Sequence, residues 1–346
     1  MTTIYLVRHA QAEGNLYRLV QGHFNGLITK RGYEQIRALR RRFDGVHIDA
    51  VSSSDLFRAR TTARAVSEPR NLPIILREDL REVNLGWWEG LPWQAVADMD
   101  AAQLHNFHMD LSRFDVKDGE SGAVVRDRML GAIRAIAAEN AGKTVAVFSH
   151  GAAMRILLGT IRGMDLADID QSVLGDNTAV TLLEVEGDAI REIYGNDNSH
   201  LVEAGLTHFT PLVGKAVKRF EDGMAYRTMD EPAAAALAEA GFPVPEEGEK
   251  IVVWLGGKAA GYVQLLGCDG DTGLVGDYGL LPAFRSKGYG IQPMGQAVQY
   301  YRSRGCTRLR LTDVQEGCRT YFEKYGFAAT TDNAMEMPIG YEDQMI

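Results

Sequence analysis

Short apolar runs alternate with longer amphipathic ones along residues 1–205. Thr3–Val7 (TIYLV) reads as a buried strand. Thr29 stands where it can cap a helix over Lys30–Phe43, in which Tyr33, Ile36, Leu39 and Phe43 recur at helical spacing. Ala50–Ser52 predicts a short strand, Leu56–Val66 a helix and Ile74–Leu76 another strand. A Trp- and His-containing stretch, Trp87–Phe114, interrupts this rhythm. Gly122–Glu139 then predicts a helix, and Thr144–Phe148 (TVAVF) a strand followed at once by a helix from Gly151. Thr178–Val185 and Ile190–Tyr194 complete the set. Strands that alternate with helices predict a mostly parallel sheet covered on both faces.

The pattern loses its periodicity near Leu206–Lys215, where Gly, Thr and Pro211 cluster, and a linker is expected over residues 206–220. The expected domains are therefore 1–205 and 221–346. The second has a different rhythm. Ile251–Leu255 and Gly261–Leu266 flank Gly256-Gly257, a hairpin signal. Gly273–Leu281 predicts a strand, Tyr289–Arg302 a helix, Arg308–Leu311 a strand and Glu316–Lys324 a helix, while the alanine-rich Ala233–Ala240 reads as a plain helix.

Two domains also suit a length of 346 residues. A hydrophobic share of 45% and a charged share of 24% describe an ordinary globular chain. No apolar run approaches the roughly 18 residues that span a bilayer, and no signal-peptide pattern is visible at the N-terminus. Three scattered cysteines, Cys268, Cys306 and Cys318, provide neither a disulfide framework nor a metal-binding CxxC. The expectation is cytoplasmic residence with no membrane partner. A net charge of −9 argues against a nucleic-acid partner, though it allows a local basic pocket.

Arg8-His9 follows the first strand, His150 follows the strand Thr144–Phe148, and Arg58 opens a helix after another strand. Singly, each histidine reads as an ordinary surface residue. Together they lie where an open α/β sheet binds ligands, beyond the carboxyl ends of its strands. Arginine forks match phosphate oxygens, and neutral imidazole is a nucleophile near pH 7. A carboxylic acid is then needed to protonate a departing alkoxide. Glu82 precedes an aromatic stretch, Trp87-Trp88, that could keep it partly dry and protonated.

The ordered motifs are specific. Arg8-His9-Ala10-Gln11-Ala12-Glu13-Gly14-Asn15, Gln21-Gly22, Leu27-Ile28-Thr29, Ser53–Ala63 with Arg58, Glu82, Ser149-His150-Gly151, Asn177-Thr178 and Asn198-Ser199-His200-Leu201 resemble the histidine phosphatase superfamily, the phosphoglycerate-mutase-like group. The resemblance implies a three-layer α/β/α domain and a phosphohistidine on His9. It makes Arg8, Arg58 and His150 catalytic phosphate ligands, adds Asn15 and Gln21 to the phosphate-binding set, and makes Glu82 the acid and then the base. No metal is implied. Ala10 replaces the motif's usual glycine, which narrows the pocket. Leu85–Gly90 looks more like the small phosphatases, such as alpha-ribazole-type enzymes, than like true mutases. His105 and His108 fall in the variable region and could touch substrate or be plain surface.

In the second half, Arg285-Ser286-Lys287-Gly288-Tyr289-Gly290 follows a strand and opens an expected helix. Glycines there admit a backbone approach to pyrophosphate. With Leu280–Phe284 before it and Tyr321–Phe327 after it, this loop resembles the GNAT acetyltransferases, which implies an α+β domain with a mixed sheet. Acetyl-CoA would be held by Leu280, Arg285, Ser286, Lys287, Gly288, Tyr289 and Gly290. The family's frequent tyrosine acid aligns with Phe322, one residue after Tyr321, and Asp277 is the nearby candidate base. The expected function is bifunctional: hydrolysis of a small phosphorylated metabolite, and acetyl transfer to an unidentified amine. A phosphatase regulated by an acetyl-CoA-sensing domain and a mutase with an appended domain stay open, as does a homodimer.

Overall fold

The computed structural model describes residues 1–170, 173–207, 223–286 and 288–341. Its first sheet is built from β1 (Thr2–Arg8), β2 (Ala50–Ser54), β3 (Ile74–Arg77), β4 (Thr144–Ser149), β5 (Val180–Glu186) and β6 (Ala189–Asp197), in the order β3-β2-β4-β1-β5-β6. The four strands on the β3 side run parallel, and β5 and β6 close the sheet antiparallel. The connecting helices are α1 (Glu13–Tyr17), α2 (Lys30–Arg42), α3 (Phe57–Ser67), α4 (Trp93–Met99), α5 (Ala101–Met109), α6 (Gly122–Glu139), α7 (Gly151–Ile161) and α8 (Ser199–Glu203).

Local chemistry explains several boundaries. Thr29 accepts a hydrogen bond from Gly32 N at 3.0 Å and starts α2 as expected, and Ser121 caps α6 in the same way. Two apolar layers cover the sheet. One gathers Ile36, Leu39, Phe43, Val66 and Phe148. The other gathers Trp88, Phe107, Phe114, Met129 and Leu157. The Trp87–Phe114 stretch thus supplies core as well as a cover: Trp88 packs edge-on to Phe107 and Phe114 at 6.2 and 5.7 Å.

The second sheet contains β7 (Met224–Thr228), β8 (Glu249–Leu255), β9 (Lys258–Asp269), β10 (Thr272–Leu280), β11 (Arg308–Leu311), β12 (Ala328–Ala329) and β13 (Met335–Pro338), ordered β12-β13-β11-β10-β9-β8-β7. Only β10 and β11 pair in parallel among its described strands, so the sheet is mixed. Helices α9 (Glu231–Glu239), α10 (Met294–Arg302) and α11 (Glu316–Glu323) accompany it. The expected hairpin is present, turned by Gly256 and Gly257 at φ +56° and +75°. The expected linker lies almost wholly outside the described residues.

One expectation is corrected. The helix expected from Tyr289 begins at Met294, with Pro293 at its N-cap. Residues 290–293 instead form turns that lead into the helix, with Gln292 N bonded to Tyr289 O and Gly295 N to Gln292 O at 3.0 Å each. Proline has no N–H to give a helix interior, so the α-helix can only start around it.

The two halves share a core. Tyr17 and Leu19 of the first half pack with Met294, Val298 and Tyr301 of the second. Truncating Trp88, fully buried in the first half, is expected to cost roughly 3–5 kcal/mol of unfolding free energy. Denaturant unfolding of Trp88→Ala checks this, and a midpoint unchanged from wild type would contradict the packing described.

Candidate active site

Adjacent parallel strands bring the two histidines together. Arg8 of β1 lies in register with Ser149 of β4, so the next residue of each strand, His9 and His150, emerges at the same edge. Their ring centroids are 5.2 Å apart. The neighbouring strand β2 ends at Ser54, and α3 then carries Arg58 into the same crevice. Four of the expected residues, His9, Arg58, Glu82 and His150, are buried there, and Arg8 joins them partly exposed.

The hydrogen bonds set the tautomer of His9. His9 Nδ1 lies 2.7 Å from the carbonyl of Ala10. A carbonyl can only accept, so Nδ1 carries the proton and the neutral ring has its lone pair on Nε2. Burial first, then the Arg58 and Arg8 charges, push the His9 imidazole well below its ordinary 6.5, with the Ala10 carbonyl opposing. His150 is lowered as well, by burial and by Arg58, and its Nε2 pairs with Ser54 Oγ at 2.8 Å.

The two arginines are held by backbone carbonyls. Arg58 donates to Phe24 O at 3.0 Å and Gly22 O at 2.7 Å. Arg8 donates to Gly175 O at 2.5 Å. Neither Nε has a hydrogen-bond partner among the described residues. Burial brings Arg58 down to about 10, against the opposing charges of Glu82 and Glu89. The guanidiniums therefore remain cationic at neutral pH and concentrate positive charge around His9.

Glu82 is placed differently from the expectation. The aromatic stretch does not hold it, because the Trp88 indole donates to Asp100 instead. Instead, Glu82 Oε1 accepts Ala153 N at 2.8 Å and Val83 N at 3.1 Å, and Oε2 accepts Ala152 N at 3.1 Å. The N-terminus of α7, directly after His150, thus fixes the carboxylate beside the histidines.

Asn15 lies in the short helix α1 beyond β1, and Gln21 on the loop that follows it. Asn15 Oδ1 accepts Ala12 N at 3.0 Å and so shapes the turn. Gln21 Oε1 is buried without a partner among the described residues. The later motifs act one layer out. Asn177 Nδ2 donates to His9 O at 2.9 Å, Thr178 N donates to Arg8 O at 3.1 Å, and Thr178 Oγ1 meets His200 Nε2 at 3.0 Å. Thr178 takes φ +61°, an uncommon value for a β-branched residue, and that turn seats the Arg8-His9 backbone.

Sequence reasoning missed His23, whose Nε2 lies 2.9 Å from Glu82 O, and Arg155. Arg155 is buried one turn along α7 from His150, donates to Phe107 O at 2.6 Å and lies over the Phe107 ring. Its position four residues past Gly151, on the buried face of α7, was the available signal. His108, expected as a possible substrate contact, packs against Phe107 and Trp93, and burial with the Arg155 charge brings it down to about 4. His105 is exposed. Among the described residues no group of three or more His, Cys, Asp or Glu is placed to hold a metal ion.

The second site is looser. Arg285 Nε turns back to Leu280 O at 2.7 Å, and Lys287 lies outside the described residues. Ser286 and Gly288 both have positive φ, +59° and +82°, and a Cβ at Gly288 would meet open space. Beyond Val275, β10 continues without pairing to β11. This backbone fits an approaching pyrophosphate. The amides of Gly288 and Gly290 do not belong to a helix N-terminus, which corrects that part of the expectation. Tyr321 lies against Gly290, where a Cβ would be 2.5 Å from its hydroxyl oxygen. Phe322 is in the core. Asp277 is exposed and its Oδ2 accepts from Tyr262 at 3.4 Å.

Residues 4–198, more than half of the chain, match the histidine phosphatase superfamily (branch 1), and the chain belongs to that family. Residues 219–327 match the acetyltransferase (GNAT) family, so the protein is a fusion of the two. The first half is similar to phosphoserine phosphatase 1 of Hydrogenobacter thermophilus, with 28% identity over 54% of this chain and 88% of that protein. It is also similar to the adenosylcobalamin/alpha-ribazole phosphatase of Escherichia coli, with 29% identity over 46% of this chain and 79% of the relative. The solved structure of Bacillus stearothermophilus YhfR matches with a TM-score of 0.56 and 30% identity, over 58% of this chain and all of that one. Among the described residues no helix is long and apolar enough to cross a membrane.

The lowered imidazoles set a pH dependence. His9 and His150 stay neutral in the folded chain below pH 6.5, whereas the unfolded chain protonates them there. Their contribution to stability is therefore present above pH 6.5 and is lost as pH falls, by at most about 1.4 kcal/mol per pH unit for each. Thermal unfolding between pH 7 and about pH 5 should show this loss, with a shallower slope in His9→Gln. Equal slopes for the two proteins would reject the buried neutral imidazole.

Proposed function

We propose that the first domain hydrolyses a small phosphate monoester through a phosphohistidine on His9. The observation that carries this is the His9 ring itself, whose Nδ1 is committed to Ala10 O and whose Nε2 is left to attack beside the buried Arg58 and the partly exposed Arg8 guanidiniums. Nε2 forms a bond to phosphorus as the ester P–O bond breaks, and Glu82 gives its proton to the departing oxygen. Water then attacks the phosphohistidine and returns a proton to Glu82, which releases inorganic phosphate and restores neutral His9. Arg8, Arg58 and His150 bind the charged oxygens throughout. Asn15 and Gln21 complete the rim.

Relatives at 28–30% identity include named phosphatases and probable phosphoglycerate mutases alike, so hydrolysis is put ahead of a mutase reaction by the Leu85–Gly90 segment, which resembles the small phosphatases, and the substrate class is a small phosphorylated metabolite. The test is phosphate release from a panel of such esters. His9→Ala should abolish release with the fold retained. Glu82→Gln should slow alkyl esters far more than nitrophenyl phosphate, whose leaving group needs no proton. Turnover by His9→Ala at a tenth of the wild-type rate, or transfer between substrate positions outpacing phosphate release, would overturn the reading.

For the second domain we propose acetyl transfer to an amine. Bound acetyl-CoA would supply an activated acetyl thioester. Leu280, Arg285, Ser286, Gly288, Tyr289 and Gly290 would hold it, with Lys287 in the same loop. Tyr321 holds a proton near Gly290, whereas Phe322 has none to give. Asp277 is the nearby carboxylate for accepting the amine's proton. The exchange of tyrosine for phenylalanine at 322 favours the second reading, a domain that senses acetyl-CoA. In both readings Gly288→Asp, forced into a strained positive φ, should abolish acetyl-CoA binding by calorimetry and spare phosphate release. Undiminished heat from the variant would reject the loop assignment.

A further inference from the structure

We infer that Arg302 and Tyr341 of the acetyltransferase-like domain are positioning residues of the phosphatase site, acting on Arg58 through the loop of residues 22–27. The inference rests on the phosphatase reading above.

The chain of contacts is continuous and short. Arg58 is held by the carbonyls of Gly22 and Phe24. That loop is tied at its far end by Glu13, whose Oε2 accepts Leu27 N at 3.0 Å and whose own N–H donates to Leu27 O at 2.9 Å. Arg302, on the last turn of α10, grips the same carboxylate with both η nitrogens, at 2.7 and 3.0 Å. The pair is largely buried, with side-chain exposures of 13% and 9%. A planar guanidinium held at two points fixes orientation as well as distance.

A second tie meets the loop nearer its middle. The Tyr341 hydroxyl donates to Asn25 O at 2.5 Å. Asn25 Oδ1 in turn accepts Phe57 N at 2.9 Å, at the start of the helix that carries Arg58. The Tyr341 ring packs edge-on to Phe57 at 5.7 Å and lies under the Arg302 guanidinium at 5.1 Å. Arg302 Nε also donates to Ile339 O at 2.7 Å, which joins both ties to one strand end.

These bonds explain a feature the first domain does not explain alone. Glu13 is a buried carboxylate, and among the described residues its ion-pair partner comes from the other domain. Without Arg302 it would be an uncompensated charge next to the loop that aims Arg58. The consequence falls on phosphate binding more than on His9 chemistry, because Arg58 grips oxygens and does not attack.

The test uses the full chain. Inorganic phosphate affinity by calorimetry, and KM and kcat for a phosphate ester found by the panel, are compared among wild type, Arg302→Met, Arg302→Lys and Tyr341→Phe. Arg302→Met should weaken phosphate binding and raise KM by on the order of tenfold, the scale on which outer-shell partners act, with a smaller change in kcat. Arg302→Lys should recover part of the loss, since it restores charge without the fork. Tyr341→Phe should give a smaller rise in KM with unchanged melting of the fold. Wild-type phosphate affinity and KM in a folded Arg302→Met protein, or in both Arg302→Lys and Tyr341→Phe if Arg302→Met does not fold, would overturn the inference. Failure of the phosphatase reading shows separately, as a wild-type protein that neither binds nor releases phosphate.

Discussion

The structure depends on keeping two arginines cationic beside two neutral histidines in a buried crevice. Water-excluding walls disfavour every charge there and lower the pKa of both residue types, but the outcome at neutral pH differs. The imidazoles lose their protons well below the ordinary pH, while Arg58 starts from a value high enough to stay charged even when lowered to about 10. That difference leaves His9 with a free lone pair and its surroundings positively charged at the same pH. The cost of burying the guanidiniums is offset by carbonyls of Gly22, Phe24 and Gly175. Much of the neighbouring architecture serves to hold those carbonyls and the Arg8-His9 turn: the 22–27 loop, the strained Thr178 turn, and Asn177 on His9 O.

This dependence explains why the first domain was largely legible in the sequence. Strand ends determine where a parallel sheet can place reactive groups. Arg8-His9 and Ser149-His150 each follow a run of apolar residues that could only be a buried strand. Register between β1 and β4 then makes their meeting unavoidable. Glu82 was legible as a residue but not in its setting. Tryptophans follow it in the sequence at 87 and 88, yet two of its three amide partners lie 70 and 71 residues away. His23 was missed for the same reason, since its contact with Glu82 O is tertiary and no local pattern announces it, whereas Arg155 carried a local signal in its spacing from Gly151.

The second domain was less legible, and the reasons are local. A helix expected from Tyr289 starts at Met294, because Pro293 decides the boundary over the apolar spacing of the residues before it. Strand β7 and the two-residue β12 carry too little pattern to be distinguished from loop. Tyr321 and Phe322 were separable only in three dimensions. One lies with its hydroxyl against Gly290 and the other fills the core, so the helix α11 turns the only proton-bearing ring of the two toward the loop.

The boundary between the domains carries the last step. Tyr17 and Leu19 are in the first domain's sequence but in the second domain's core, so the halves do not meet as two finished surfaces. The segment that crosses over, residues 13–19, begins at Glu13 and leads directly into the loop that holds Arg58. A fusion of this kind removes the freedom that a flexibly tethered domain would have. The same α10 whose first turn follows the 285–290 loop ends on Arg302. Helix α10, nine residues long, therefore stands between the 285–290 loop and the Arg302–Glu13 ion pair, which ties down the loop whose carbonyls hold Arg58.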